Sequence, residues 1–594
     1  MVRFLAGLAA LASVAFADIT FNCIGYPSVT NGAFGVSIGG AVHKLVGNES
    51  TFPVWTGAVP GTDSSVVYSY VELDASGATL KTESFTRKLN ATTDTQTPNE
   101  FFERPVTKHD FPRLPYTYLA TYPSKSKAFK EDQIATIHIT GTPAAIDAMN
   151  QNPTAESDIR VNFRFINANT IHTQTNITFK TSGKSSKDYA KQSFKLKFDT
   201  EYNQTFFSRP NIKLRSEATD PTLMREKLYI DTLNSLGVPT QQGSYVRLFI
   251  NNEAYGLYLM VDDIKKSFCK QTIHGGDNAV LPGSLIQGNA PSVSEQADLV
   301  YKGPNEADYN KDFYTMQNLG ANPPTAPFTQ FYAFMADIQA YDPATTADPL
   351  GYWNKRLDLD GFLRNMALEY LTGAFDNYWM AGSNYFMYFN PKLNKWQWVP
   401  TDFDGVIGNG ADVNASASYK QLYNFQPDHP LVSKLIINTP KINAMFVQVL
   451  TEIIQTVFKP EAMDPHIDGL QKMIALDAQW DFSLTRHSAG KNDLWTMNDF
   501  NGNMVNVTRE MSAGLKPWVA ERAKAISAEL GFQIPAGTAD RVAPPPRGKK
   551  GGNDDDDGDG GKASGESAAV SSSSVMLSSV AIVAMFASSL MLLA

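Results

Sequence analysis

Ile159-Arg160-Val161-Asn162-Phe163-Arg164-Phe165 alternates apolar and polar side chains without a break, the period of a strand with one face on a core. Outward from it the same rhythm recurs, upstream at Ala135 to Ile139 and downstream at Phe194 to Phe198 and Val246 to Ile250. Between the last two, Leu223 to Leu236 carries helical spacing and stops at Gly237-Val238-Pro239. Past residue 360 the period changes: Phe362 to Leu371, Lys434 to Phe458, Pro465 to Gln479 and Pro517 to Leu530 all read as helices. Strands first and helices later predict an α+β body, with no internal repeat.

Further upstream, residues 18–120 read as a small β-sandwich. Val66 to Leu73 has period-two character, Asp74-Ala75-Ser76-Gly77 is a turn, and Thr79 to Phe85 resumes a strand, making a hairpin. Gly25-Tyr26-Pro27, Asn31-Gly32 and Pro60-Gly61 mark turns between further short strands. Trp55, Tyr68 and Tyr70 are aromatics suited to stacking on sugars, although core packing accounts for them more simply. The α+β body spans 121–535.

The ends point to export. Arg3, an apolar run from Phe4 to Phe16 and the small-x-small Ala15-Phe16-Ala17 make residues 1–17 a removable signal peptide, with Asp18 the expected mature start. Residues 575–594 are uncharged and mostly apolar, preceded by the small polar stretch Gly561 to Ser574. That order is a GPI-anchor signal, with Gly565 or Ser564 as attachment residue and a plain tail anchor as the competing reading. Residues 536–574, with three consecutive prolines and the acid block Asp554 to Asp557, form a solvated stalk that stays disordered. Six sequons, at Asn48, Asn90, Asn176, Asn203, Asn414 and Asn506, suit a glycosylating route. Cys23 and Cys269 are the only cysteines, available for one disulfide or as two buried thiols. The net charge of −9, without a basic patch interleaved with aromatics, argues against nucleic acid as a partner.

The residues with chemistry gather late. A helix ending near Thr372-Gly373 delivers Asp376 to a loop, Asn384 opens a strand, and a hairpin returns the chain to Asp402-Phe403-Asp404. Three carboxylates and an amide on loops flanking one hairpin suit a hard cation that keeps phosphate oxygens among its ligands. The same residues also serve as turn formers and caps. Earlier, Ser182-Gly183-Lys184-Ser185-Ser186 feeds a strand whose polar face carries Lys195 and Lys197, a phosphate-meeting pattern or simply a solvated lysine face. It lacks the glycine spacing of a P-loop.

Together with Asp220-Pro221-Thr222-Leu223-Met224-Arg225, Val246 to Asn252 and Tyr255 to Leu259, these blocks resemble the CotH family of spore-coat-protein H-like atypical kinases over residues 133–530. The resemblance extends to that family's fungal cell-surface members, associated with spores and host invasion. It implies Asp376 as the catalytic carboxylate that accepts a hydroxyl proton. It implies Asn384 and Asp402 as ligands of Mg or Mn, with Asp404 as the alternative ligand. Lys195 or Lys197 would meet ATP phosphates, and Asp262 stands where the family's connecting strand carries Glu near the adenine. The implied roles are attachment and invasion from the cell surface or wall, or Ser/Thr phosphorylation within the secretory pathway. The implied partners are a host receptor (a BiP-type chaperone or an integrin) and spore-coat or secreted protein substrates.

Overall fold

The computed structural model describes residues 17–538, except 63–64, 90–94, 116–125, 293, 322–327 and 425–428. Most of the leader, Asn90, Ser564, Gly565, the hydrophobic tail and the stalk beyond 538 lie outside the described residues. Among the described residues no helix is long and apolar enough to cross a membrane.

A four-stranded and a five-stranded sheet open the fold; in the second, Arg87–Lys88 also pairs with Val67–Leu73. One orders Val46–Gly47, Val54–Thr62, Ala17–Ile24 and Gln96–Phe101; the other orders Ala41–Lys44, Ala33–Ile38, Val67–Leu73 and Thr79–Thr82. Ile19, Phe21 and Cys23 from the first meet Phe34, Val36, Tyr68 and Tyr70 from the second in one core. Tyr68 and Tyr70 are therefore packed inside, each hydroxyl donating to the Glu100 carboxylate at 2.8 Å, and neither is a platform for sugars. Pro60-Gly61 is not a turn between strands either. It lies within Val54–Thr62, where Gly61 at φ +62° accompanies a register shift against Ala17–Ile24.

The alternating segments close into a seven-stranded barrel. Its order is Ala135–Gly141, Ile159–Ile166, Ile171–Ser182, Ser193–Lys197, Asn211–Arg215, Glu253–Asp262 and Gly243–Ile250. Neighbours are antiparallel except at the seam, where Ala135–Gly141 runs parallel to Gly243–Ile250. Inward positions Ile137, Ile139, Phe163, Phe165, Phe179, Leu196, Leu214 and Leu248 fill the interior, each burial adding about 1.5–3 kcal/mol.

The helical part surrounds a third sheet, ordered Tyr314–Asn318, Leu285–Gly288, Tyr385–Asn390 and Lys395–Pro400. Helices Leu359–Thr372, Pro440–Thr456, Pro460–Ser483 and Leu515–Leu530 share a core through Phe362, Met366, Phe446, Leu450, Leu470, Ile474 and Trp518. The apolar run from Lys434 to Phe458 is not one helix: a π-helical turn, Leu431–Ile437, precedes Pro440, which starts the next helix because it has no N–H to donate. Cys23 lies in the sandwich core and Cys269 under the third sheet, both free thiols whose ionisation burial opposes.

Glu369, fully buried in helix Leu359–Thr372, accepts hydrogen bonds from the Trp379 N–H and the Asn365 amide at 2.7 Å each. Burial nevertheless pushes its carboxyl up to about 8. A carboxyl raised this way stabilises most below its unfolded value near 4.5, and that contribution is lost as pH climbs towards 8. Asn365 Oδ1 makes no hydrogen bond, so a glutamine amide can supply one if Asn365 turns end for end. Glu369→Gln should therefore flatten the pH dependence of unfolding between pH 5 and 8 and add up to about 3 kcal/mol at pH 7. Urea melts at both pH values check this, and an unchanged slope would rule it out.

Candidate functional site

The hairpin Tyr385–Asn390 with Lys395–Pro400 builds the centre of the site. Its register pairs Tyr385 with Pro400, and one step beyond, Thr401 N–H donates to Asn384 O at 3.0 Å. Asn384 and Asp402 thus stand together at the open end, both in left-handed backbone at φ +58° and +62°. That conformation costs a non-glycine residue about 1–3 kcal/mol and recurs where side chains must be aimed. Gly373, at φ +63°, ends helix Leu359–Thr372 and lets the chain turn back over the hairpin. Asp376 lands beside Asn384, whose Nδ2 donates to both Asp376 O and Asp376 Oδ2 at 2.8 Å. Asn377 ties the loop down by donating to Thr401 O at 3.0 Å.

Asp376, Asn384, Asp402 and Asp404 therefore converge as the spacing suggested. Burial, with Asp402 adding to it, pushes the Asp376 carboxyl up to about 6. Asp404 is also raised, by desolvation and by Asp402, Glu226 and Asp376, while Arg215 pulls it the other way.

The barrel supplies what sequence reading missed. Arg215, the last residue of Asn211–Arg215, reaches across the cleft: Nη2 lies 2.5 Å from Asp402 Oδ1 and 3.5 Å from Asp404 Oδ2. Its Nε donates to Glu226 Oε2 at 2.8 Å, and Gln241 holds the other Glu226 oxygen at 2.6 Å. One guanidinium therefore links the barrel, helix Arg225–Ser235 and the Asp402 loop. Its signal in the sequence was faint: Lys213 and Arg215 are the outward positions of an alternating strand whose Ile212 and Leu214 face in.

Next to this set lies a cavity of about 270 Å³ between barrel and third sheet. Lys180, Lys195, Lys213 and Lys265 line it against Glu156 and Asp263, leaving an excess of positive charge. Phe386, two residues beyond Asn384 on the strand that follows it, and Ser182-Gly183 help to complete the wall. Lys195 Nζ sits 2.7 Å from Asp263 Oδ2, with Lys213 3.4 Å from the other oxygen. Burial works to raise the Asp263 carboxyl, but Lys213, Lys195 and Lys265 outweigh it and hold it low. Lys197 is exposed further along the strand and does not line the cavity. Asp262 is buried elsewhere, 2.5 Å from Arg209 Nε and accepting from the Gln242 N–H at 3.1 Å. Its neighbour Asp263 lines the cavity instead.

The donor set fits a hard divalent cation. Asp376, Asp402, Asp404 and the Asn384 side-chain carbonyl offer only oxygen, and the Asn384 amide nitrogen is already committed to Asp376. Among the described residues no three His, Cys, Asp or Glu side chains enclose an ion by themselves. Mg and Mn are held by few carboxylates and complete their shells with phosphate oxygens and water.

Barrel, helical body and the cleft they share define an α+β body with an oxygen-rich loop set beside a lysine-lined cavity. The chain belongs to the CotH kinase protein family, whose pattern matches residues 179–526. It is similar to Invasin CotH3 of Rhizopus delemar, at 30% identity over 89% of this chain and 87% of that protein. It is similar also to Invasin CotH2 of the same fungus, at 28% identity over 89% and 86%. The Inner spore coat protein H of Bacillus subtilis is 22% identical across 48% of this chain and 74% of its own.

The five sequon asparagines among the described residues, Asn48, Asn176, Asn203, Asn414 and Asn506, are all exposed.

Proposed function

We propose that this chain is exported to the cell surface, and that the cleft between its barrel and helical body transfers the terminal phosphoryl group of ATP to a hydroxyl of a protein substrate. The observation that carries the chemistry is the meeting of Asp376, Asn384 and Asp402 at one hairpin mouth beside a cavity lined by four lysines. Lys195 and Lys213 bind and orient phosphates. Asp376 holds the acceptor hydroxyl and takes its proton onto a carboxylate oxygen. Asn384 and Asp402, with Asp404 as the alternative, hold Mg or Mn. The metal supplies charge neutralisation at the phosphates when bound.

Binding of nucleotide and metal tests this directly. In the purified mature chain, ATP with Mg or Mn should raise the melting temperature by a few degrees, since a ligand at about 100 times its Kd adds about 2.7 kcal/mol. Asp402→Ala should lose that rise. A wild-type protein that does not respond over a wide ATP range would refute the kinase reading and leave a kinase-shaped scaffold.

The relatives' names favour a second, compatible role in attachment to and invasion of host cells. The partner in that role is a host-cell receptor, of the BiP-type chaperone or integrin class that the family resemblance suggests. Loss of host-cell entry on deleting the gene supports it, and undiminished entry counts against it. Export through a glycosylating pathway and a GPI anchor at Gly565 or Ser564 complete the reading. Release of the protein from membranes by a phosphatidylinositol-specific phospholipase tests the anchor.

A further inference from the structure

An open groove of about 570 Å³ runs between the N-terminal sandwich and the outside of the barrel. Asn48, the exposed asparagine of the sequon Asn48-Glu49-Ser50, is one of its lining residues. Asn48 Oδ1 accepts from both Ser50 N–H and Ser50 Oγ at 2.9 Å, bonds that do not involve Nδ2, the atom that carries an N-linked glycan. The turn bearing the sequon is pinned to the barrel, because the Arg164 guanidinium donates to Phe52 O and, at 3.2 Å, to Glu49 O. Arg164 itself lines the groove, so the pin and the wall are one.

The lining has the chemistry of a sugar site. On the sandwich side stand the rings of half-buried Trp55 and Phe52. On the barrel side stand exposed Thr140, Asn162, Thr175 and Asn252, short hydroxyl and amide groups that pair with sugar hydroxyls. Aromatic faces supply the apolar surface against which the C–H face of a pyranose packs.

We infer that Asn48 is glycosylated and that its glycan lies in this groove, its inner sugars against Trp55 and Phe52 and its hydroxyls on the barrel, as a strut between sandwich and barrel. The inference rests on the proposed export. It singles out Asn48 from Asn203 and Asn414, which are exposed outside this groove.

The test uses the full chain secreted from a eukaryotic host. Glycopeptide mass spectrometry reads occupancy, and a time course of native digestion with the glycan-cleaving amidase PNGase F reads shelter. Asn48 should be occupied and its glycan released at least tenfold more slowly than that of Asn203, with the difference erased by denaturation. Trp55→Ala should bring the two rates together. So should the double variant Thr140→Ala/Asn252→Ala, whose positions are exposed and leave the core intact. An empty Asn48 beside occupied Asn203 and Asn414, or equal native release rates, overturns the inference while leaving export standing. Sequons empty throughout overturn the inference together with the glycosylating route on which it rests.

Discussion

Arg225→Met should cost about 3–5 kcal/mol of stability, the largest effect expected of any single change in the body. Arg225 is fully buried, its Nη1 2.5 Å from Asp220 Oδ1. Its Nη2 donates to Asn503 Oδ1 at 2.8 Å, to Ile407 O at 3.1 Å and to Ala513 O at 3.2 Å. A single side chain thus joins the start of helix Arg225–Ser235, the loop just past Asp404 and the segment before helix Leu515–Leu530. Methionine fills most of the volume but leaves the Asp220 charge without its partner and two buried carbonyls without this donor. Asp220 also accepts the Thr222, Met224 and Arg225 N–H groups. The double variant Asp220→Asn/Arg225→Met should recover part of the loss, which a double-mutant cycle in urea measures. A loss under 1 kcal/mol for Arg225→Met would show that the three segments are held by apolar packing alone.

The second large effect is on chemistry. Asp376→Ala should reduce phosphate incorporation by a factor of about 10²–10⁴, the range for losing a positioned proton acceptor. Nucleotide binding should survive, because the Asn384 amide keeps its bond to the Asp376 backbone oxygen at 2.8 Å. Asp376→Asn tests the role more sharply, since it keeps a side-chain acceptor for Asn384 and removes only the basic oxygen. The expected outcome is ATP-dependent thermal stabilisation close to wild type with transfer abolished. If transfer persists in Asp376→Asn, the proton leaves by another route and Asp376 is a positioning residue for Asn384.

Local order explains which parts of the site were legible. Asp376, Asn384, Asp402 and Asp404 fall within one helix end and one hairpin, so the turn signals between them bring the four together through short-range contacts. The hairpin register then pairs Asn384 with Thr401 as a matter of strand geometry. Lys195 was legible for a similar reason, as an outward position of an alternating strand. Asp262 does not line the cavity: strand Glu253–Asp262 ends there, its side chain pairs with Arg209, and the following Asp263 lines the cavity. A one-residue difference at a strand end changes the direction of the side chain, and no pattern in the sequence marks it.

Period-two and helical spacing, turn residues and the ordered family blocks determined by themselves that this is an α+β protein with a leading β region and a loop-borne carboxylate set. Barrel closure was decided only in three dimensions, because its seam pairs Ala135 with Val246 in parallel and such a pairing leaves no short-range signal. The cation facing the carboxylates was decided the same way. Arg215 meets Asp402 across 187 residues, and that contact exists only because the closed barrel fixes where strand Asn211–Arg215 ends over the cleft.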